Sequence, residues 1–330
     1  MRVCIIGGCG HAEAACRAAE RGVAFEFCGI SRAFPGDPRA DRLADRFREA
    51  GRPAPVYADA AEMLREQEPE IVVVDGIFGS HAREACMALE RGMHVLSDKP
   101  AATTLPDLAL LRDAIRKSGR LYWSMLTSRY DPWFVTARDL VRQGEIGEVR
   151  LIQGQKSYKL GTRPDFYRDP AQYGGTIAWV AIHMIDLALW ITGRKCRTVS
   201  AFGSTEANGG YGALESAVVC GMELEDGILA SIQADYLRLP QAPTHGDDRI
   251  RIVGTRGTVE VRRERVLLTN AAHPEGAEVP LADGGLLFAD FLEAAAGRTD
   301  LRIDTESSLY GTLAALKLTQ SLKEGRTVRM

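Results

Sequence analysis

The sequence predicts a chain of α/β class in two parts: a first part built on a parallel sheet, and an α+β second part dominated by strands. Three observations carry this. The chain is 330 residues long, more than one ordinary domain needs. Roughly the first 120 residues alternate short β-branched runs with alanine-rich helical stretches, as βαβ units do. Beyond that point strands follow one another with few helices between them.

In the first part, residues 3–6 form a strand and 11–21 an alanine-rich helix that Gly22 closes. A second strand covers 25–30, and a helix over 41–50 stops at Gly51. Ile71, Val72, Val73 and Val74 are four β-branched residues in a row, the pattern of a strand buried on both faces. A helix over 82–90 places Ala85, Cys86 and Leu89 on one side and ends at Gly92; a strand over 93–96 follows. Thr104, three residues before Asp107, caps a helix running to about Lys117. The division between the parts is set at residues 122 and 123, giving domains 1–122 and 123–330. In the second part an amphipathic helix fits 132–143. Strands fit 149–155, 198–202, 216–222, 228–235, 250–253 and 258–261, and helices fit 283–296 and 307–323. Several of these strands alternate apolar with polar residues, which suits a sheet with one less buried face. The run Arg262-Arg263-Glu264-Arg265 reads as an exposed strand end.

Composition narrows the function. Hydrophobic residues make up 45% and charged residues 26%, an ordinary globular balance. Lys plus Arg is 41 and Asp plus Glu 44, a net charge of −3, which gives no support to nucleic acid held by bulk charge. No apolar run reaches the roughly 18 to 20 residues of a membrane helix. Met1 to Ile6 runs directly into glycines, unlike a signal peptide. The seven cysteines are scattered and odd in number, and none has C-x-x-C spacing; they read as reduced thiols of a cytoplasmic protein. Six histidines without H-x-x-x-H spacing give no metal site.

Four motifs carry chemistry. The cluster Gly7-Gly8-Cys9-Gly10-His11-Ala12 sits between the first strand and the first helix, where glycines let the backbone approach a pyrophosphate held on helix N–H groups. Neither of its two frames is a full G-x-G-x-x-G: with Gly7 first, Cys9 and Ala12 take the later positions; with Gly8 first, Gly10 is second and Glu13 third. Strand length favours the first frame. The plainer reading is a strand–helix turn. After the second strand an NAD site usually carries an acid that grips the ribose 2′-hydroxyl. Here Ser31-Arg32 stands there, which favours NADP over NAD, although Arg32 also suits a solvated loop. Ile77, Phe78 and His81, just past the 71–74 strand, are further candidates for cofactor contact.

The third motif, Asp98-Lys99-Pro100, ends the 93–96 strand, and the carboxyl ends of parallel strands line the ligand crevice. Lys99 is thereby placed to meet a substrate oxygen, though Asp-Lys-Pro is also common turn chemistry. In the fourth, Thr176 is a candidate cap for a helix on which Trp179, His183 and Asp186 share one face. A histidine in such apolar company is often a satisfied core residue. Between the first strand of the second part and this helix lies a segment rich in donors and rings, with Tyr158, Lys159, Arg163 and Tyr167 as candidates for binding substrate hydroxyls or a carboxylate, although each alone also suits a solvated loop.

Together these features resemble the Gfo/Idh/MocA family of NAD(P)-dependent sugar and polyol oxidoreductases, over nearly the whole chain. Asp98-Lys99-Pro100 looks like its Glu-Lys-Pro motif, with Asp for Glu. The segments 128–132 and 144–149 resemble the opening of its second domain, residues 249–261 its late hairpin, and 173–186 its Gly-Gly-rich helix with a histidine. The resemblance implies a Rossmann doubly wound parallel sheet, then a domain with a large, mostly antiparallel open sheet that joins subunits into a homodimer or homotetramer. It implies hydride transfer between NAD or NADP and a carbinol carbon of a sugar, polyol or derivative. Lys99 then holds the reacting oxygen and His183 accepts or returns its proton; both must meet one substrate. Many members carry an aspartate four residues before that histidine. Trp179 stands there instead, which resembles a branch with Trp at this position and suggests a pocket wall; Asp186 could orient the His183 ring or be structural. Two alternatives stay open: a regulatory NAD(P)-binding protein without turnover, and a glycoside hydrolase that works by transient oxidation.

Overall fold

The computed structural model describes residues 1–330. The chain divides into two compact units, Met1–Leu126 with Leu286–Leu309, and Thr127–Gly285 with Tyr310–Met330. A single cut at 122/123 leaves residues 123–126 and the returning stretch Leu286–Leu309 on the other side from where the structure groups them.

The first unit runs β1 (Arg2–Gly7), α1 (Glu13–Glu20), β2 (Glu26–Ser31), α2 (Pro38–Glu49), β3 (Val56–Tyr57), α3 (Ala60–Gln67), β4 (Ile71–Asp75), α4 (His81–Glu90), β5 (His94–Ser97), α5 (Leu105–Ser118) and β6 (Tyr122–Ser124). All its strands pair in parallel, in the order β3-β2-β1-β4-β5-β6. This is a doubly wound Rossmann sheet whose strand order reverses between β1 and β4, the place where such sheets bind ligands. β4 is buried along its length, as its β-branched run predicts. The Thr104 hydroxyl accepts from the Asp107 amide at the head of α5.

Helix Leu287–Ala295 completes this unit's core. Phe291 meets Trp123 edge to face at 5.5 Å and Phe288 meets Phe25 at 5.0 Å. The sequence places the start of this helix at 283, but the chain is not helical there. Gly284 lies against the carbonyl of Tyr130, and a Cβ on it would come within 2.2 Å of that oxygen.

The second unit begins with α6 (Pro132–Arg142), β7 (Val149–Tyr158), α7 (Pro170–Tyr173) and α8 (Ile182–Thr192). β8 (Cys196–Ser204), β9 (Ala217–Leu224), β10 (Leu229–Asp235), β11 (Gly246–Gly254), β12 (Gly257–Arg262), β13 (Arg265–Asn270), β14 (His273–Val279) and β15 (Val328–Arg329) follow. They form one open sheet, β14-β13-β12-β11-β7-β10-β9-β8-β15, antiparallel at every pairing except β7 with β10. The buried α8 lies on one face of this sheet. Gly154 of β7 permits the approach: a Cβ there would stand 2.8 Å from Ile232 Cδ1 and 3.1 Å from Met184 Cβ. The helical stretch Pro170–Thr192 is long and apolar enough to cross a bilayer, and 94% of its most apolar window is buried by the protein itself, as in a core helix.

The run Arg262–Arg265 is exposed and ends β12, as expected, and it turns the chain directly into β13: Arg262 and Arg265 pair across a two-residue hairpin turn in which Arg263 and Glu264 both take positive φ, 52° and 61°. One local expectation is corrected. Thr176 does not cap a helix. Its backbone is already helical, its amide bonds Glu215 Oε2 at 2.9 Å, and its hydroxyl donates to the Glu215 carbonyl at 2.7 Å. Residues Ile177–Ala181 form a π-helical turn before α8, which takes Trp179 out of the 3.6-residue register that set it on one face with His183 and Asp186.

Phe291→Ala removes a fully buried ring from the first unit. It should cost about 3–5 kcal/mol, read as faster amide exchange along β1 and β4. Unchanged exchange there would separate the returning helix from this core.

Candidate functional site

The loop after β1 is built around Asp75, the last residue of β4. The amides of Gly8 and Cys9 donate to the Asp75 carbonyl at 2.9 and 2.8 Å. His11 N donates to Asp75 Oδ1 at 3.2 Å and Ala12 N to Oδ2 at 2.9 Å. Gly7 turns the chain at φ 82°, so close to Asp75 that a Cβ would lie 2.4 Å from its carbonyl oxygen. Gly10 is pressed against carboxylates: a Cβ would stand 1.7 Å from Asp98 Oδ2 and 2.8 Å from Asp75 Oδ1. Gly8 faces Leu43 and Arg39 of α2.

Asp98 ties this loop to the turn that carries Lys99. Its Oδ1 lies 2.9 Å from His11 Nδ1 and accepts from Lys99 N at 2.8 Å. Burial alone would raise the Asp98 carboxyl; His11, Lys99 and His81 outweigh it and hold Asp98 below the usual carboxylate range. Asp75 goes the other way. Burial, and then the neighbouring Asp98 charge, push it well above that range. Lys99 is buried. His81, also buried, lies with Nδ1 3.0 Å from the Pro100 carbonyl and Nε2 3.2 Å from the Gly76 carbonyl, so it braces the Lys99 turn against the end of β4. Phe78 is buried with its ring 5.7 Å from His81, and Ile77 is half-buried. Ser31 is fully buried, its hydroxyl unpartnered. Arg32 donates to Asp41 at 2.6 Å, and Arg39 to Asp37 at 2.7 Å.

In the second unit His183 is 2% exposed on α8, with Ser128 Oγ 3.3 Å from its Nδ1. Asp186 spends both oxygens on Arg129, which donates from Nε at 2.9 Å and from a terminal nitrogen at 2.6 Å. This pair is almost wholly buried. Ser128 thus stands against the His183 ring, while Asp186 is engaged by Arg129. Trp179 is buried.

Tyr158, Arg163 and Tyr167 gather into one cluster with residues the sequence did not single out. The Arg163 guanidinium lies 5.6 Å over Tyr167 and 4.9 Å over Tyr236. Tyr173 and Tyr236 share a hydroxyl–hydroxyl bond of 2.9 Å, and Tyr167 stacks on Tyr173 at 4.6 Å. Tyr158 stacks on His245 at 4.9 Å, beside the Lys156–Asp248 ion pair. Burial raises the phenols of Tyr158, Tyr173 and Tyr236. These rings offer apolar faces with polar tips, a surface suited to sugar C–H faces and hydroxyls.

Residues 1–125 match a family described as "Oxidoreductase family, NAD-binding Rossmann fold", and residues 134–260 match the "GFO/IDH/MocA C-terminal domain". A solved structure, "putative oxidoreductase from Thermotoga maritima", is 40% identical over 100% of both chains, with a TM-score of 0.95. This chain belongs to the Gfo/Idh/MocA oxidoreductase family. It is also similar to inositol 2-dehydrogenase of Salmonella typhimurium, 28% identical over 44% of this chain and 42% of that protein. Myo-inositol 2-dehydrogenase of Thermotoga maritima is 26% identical over 73% of this chain and 71% of that one. The chain thus matches less than half the length of the Salmonella inositol 2-dehydrogenases.

The family implies a nicotinamide dinucleotide. The residues fit it: a glycine loop with close backbone approach opens α1 at the β1/β4 reversal, and Gly7, Gly8, Gly10, His11 and Ala12 would hold the pyrophosphate. Asp75 and Ser128 escaped the sequence reading. The signal for Asp75 was a lone acid closing four β-branched residues at the end of a central parallel strand. Ser128 and Arg129 were marked only as part of the 128–132 segment; their action on α8 left no signal, because it comes from a distant stretch of chain.

Arg129→Ala would strand a buried carboxylate and should cost about 3–5 kcal/mol of stability. Replacing the pair, Arg129→Met with Asp186→Leu, should restore most of it. Equilibrium unfolding measures both, and equal losses would deny the pair its coupling. Gly10→Ala should abolish dinucleotide binding in calorimetry, since the added methyl overlaps Asp98.

Proposed function

We propose that this chain is a nicotinamide-dependent dehydrogenase or reductase acting on a CH–OH group of a sugar, polyol or derivative. The single observation that carries the reading is the link made by Asp98, which joins His11 of the glycine loop and Lys99 through one carboxylate. A cofactor-binding loop and a substrate-oxygen ligand are thereby fixed to one another. The relatives named as inositol dehydrogenases support a polyol or sugar as the substrate class.

Bound nicotinamide supplies the hydride acceptor or donor. Lys99 holds the reacting oxygen, and its ammonium stabilises the alkoxide charge that develops as the hydride leaves. His183 takes the hydroxyl proton at Nε2, with Ser128 Oγ beside its Nδ1 to orient the ring. Asp186 and Arg129 hold α8 in place from within the second unit. Trp179 and the Tyr158–Arg163–Tyr167 cluster bind the sugar. The reading requires Lys99 and His183 to act on one substrate.

NAD is favoured over NADP. Two arginines that follow β2 are each matched by an aspartate, Arg32 by Asp41 and Arg39 by Asp37, which leaves no surplus cation from these two for a 2′-phosphate. The exposed apolar side chains on the second sheet, Phe202 beside Val219 with Leu229 and Leu267, support self-association through that face. All seven cysteines are free thiols, which suits a cytoplasmic location.

His183→Ala should lower turnover by about 10²- to 10⁴-fold while leaving NADH affinity intact, measured by nicotinamide absorbance over a panel of inositols and sugars. An unchanged rate would remove His183 from the chemistry. Dinucleotide binding with no turnover by the unaltered protein on any panel member would mark a regulatory protein instead. NADH should bind more tightly than NADPH in a fluorescence titration; the reverse order would return the 2′-phosphate role to Arg32.

A further inference from the structure

The amides that greet an anion at the head of a Rossmann helix already have one here. A glycine loop binds phosphate because its N–H groups, at the positive end of the helix dipole, have no acceptor of their own. In this chain Gly8 and Cys9 donate to the Asp75 carbonyl, and His11 and Ala12 donate to the two oxygens of its side chain. Asp75 is fully buried, and so is Asp98, whose Oδ2 has no partner and is aimed at Gly10. One carboxylate occupies the donors and a second stands over the loop.

We propose that Asp75 is a built-in competitor for the dinucleotide pyrophosphate, so that the cofactor takes the His11 and Ala12 amides only as the Asp75 carboxylate releases them, and this exchange sets cofactor affinity. The inference rests on the dinucleotide reading of the loop. It assigns a role to a residue that otherwise only closes a strand, and it makes the affinity of this chain lower than its loop geometry alone would give.

The exchange has a pH signature. A diphosphate beside Asp75 favours the protonated acid, which carries no charge to repel it, so binding takes up a proton and tightens as pH falls. The groups facing Asp75 are Asp98 from the β5 turn, with His11, Lys99 and His81 around Asp98, and Cys9, Arg39 and Asp37 across the loop. Removing the Asp75 charge isolates its share of that slope from the share of these neighbours.

The test is NADH affinity by fluorescence titration, checked by calorimetry, for the full chain and for Asp75→Ser and Asp75→Asn, with melting temperatures recorded. Asn keeps the shape of Asp and one acceptor, so it decides the matter if the serine variant does not fold. The expected result is an affinity about tenfold tighter in the variants. The unaltered protein should bind more tightly at about pH 6 than at about pH 8, and Asp75→Asn should flatten that slope. Equal or weaker binding in folded variants overturns the inference and leaves the cofactor reading standing, as does an undiminished slope in Asp75→Asn, which would belong to another group. A pH-independent affinity in the unaltered protein overturns it even without variants. If neither the unaltered protein nor Asp75→Asn binds any dinucleotide, the cofactor reading itself fails and the inference with it.

Discussion

The amides at the start of α1 need acceptors, and Asp75 meets that need from inside the fold. A buried carboxylate is costly unless several donors surround it, and buried N–H groups are costly unless an acceptor faces them. Each requirement satisfies the other. The hydrogen bonds fix the glycine loop to the end of β4, at the sheet's reversal point. They also set where His11 stands, and His11 holds Asp98, whose other contact is the Lys99 amide. The placement of the lysine turn therefore descends from the capping of one helix.

Much of the fold was legible because its rules are local. β4 announced itself by four β-branched residues, α5 by Thr104 and Asp107, and the parallel arrangement by the alternation of strands with glycine-stopped helices. Most of what was missed lacked such marks. β3 is only two residues long. Helix α3 had a mark that went unread, Asp59 followed by Glu62, whose amide the Asp59 side chain accepts. β14, His273–Val279, carries no apolar alternation, and the turn before β13 uses Arg and Glu where glycine or asparagine would have signalled it.

The site was legible in its residue types and less so in its partnerships. The glycine loop, Lys99 and His183 could be named from position on an element. That Asp186 answers to Arg129 could not, since the two lie 57 residues apart and helical spacing points Asp186 toward its own helix instead. The π turn at Ile177–Ala181 broke the periodicity on which the Trp179–His183–Asp186 face was drawn. Tyr236 and Asp248 joined the aromatic cluster through sheet pairing, which a single sequence does not display.

The returning stretch Leu286–Leu309 has a consequence for how the protein is made. The indole of Trp123 emerges from the ribosome long before Phe291, the ring that covers its edge. A nascent first unit must therefore persist with part of its core open while eight of the nine strands of the second sheet are being translated. Chaperone engagement and vulnerability to cleavage should concentrate in that interval, ending only when the last helices leave the exit tunnel.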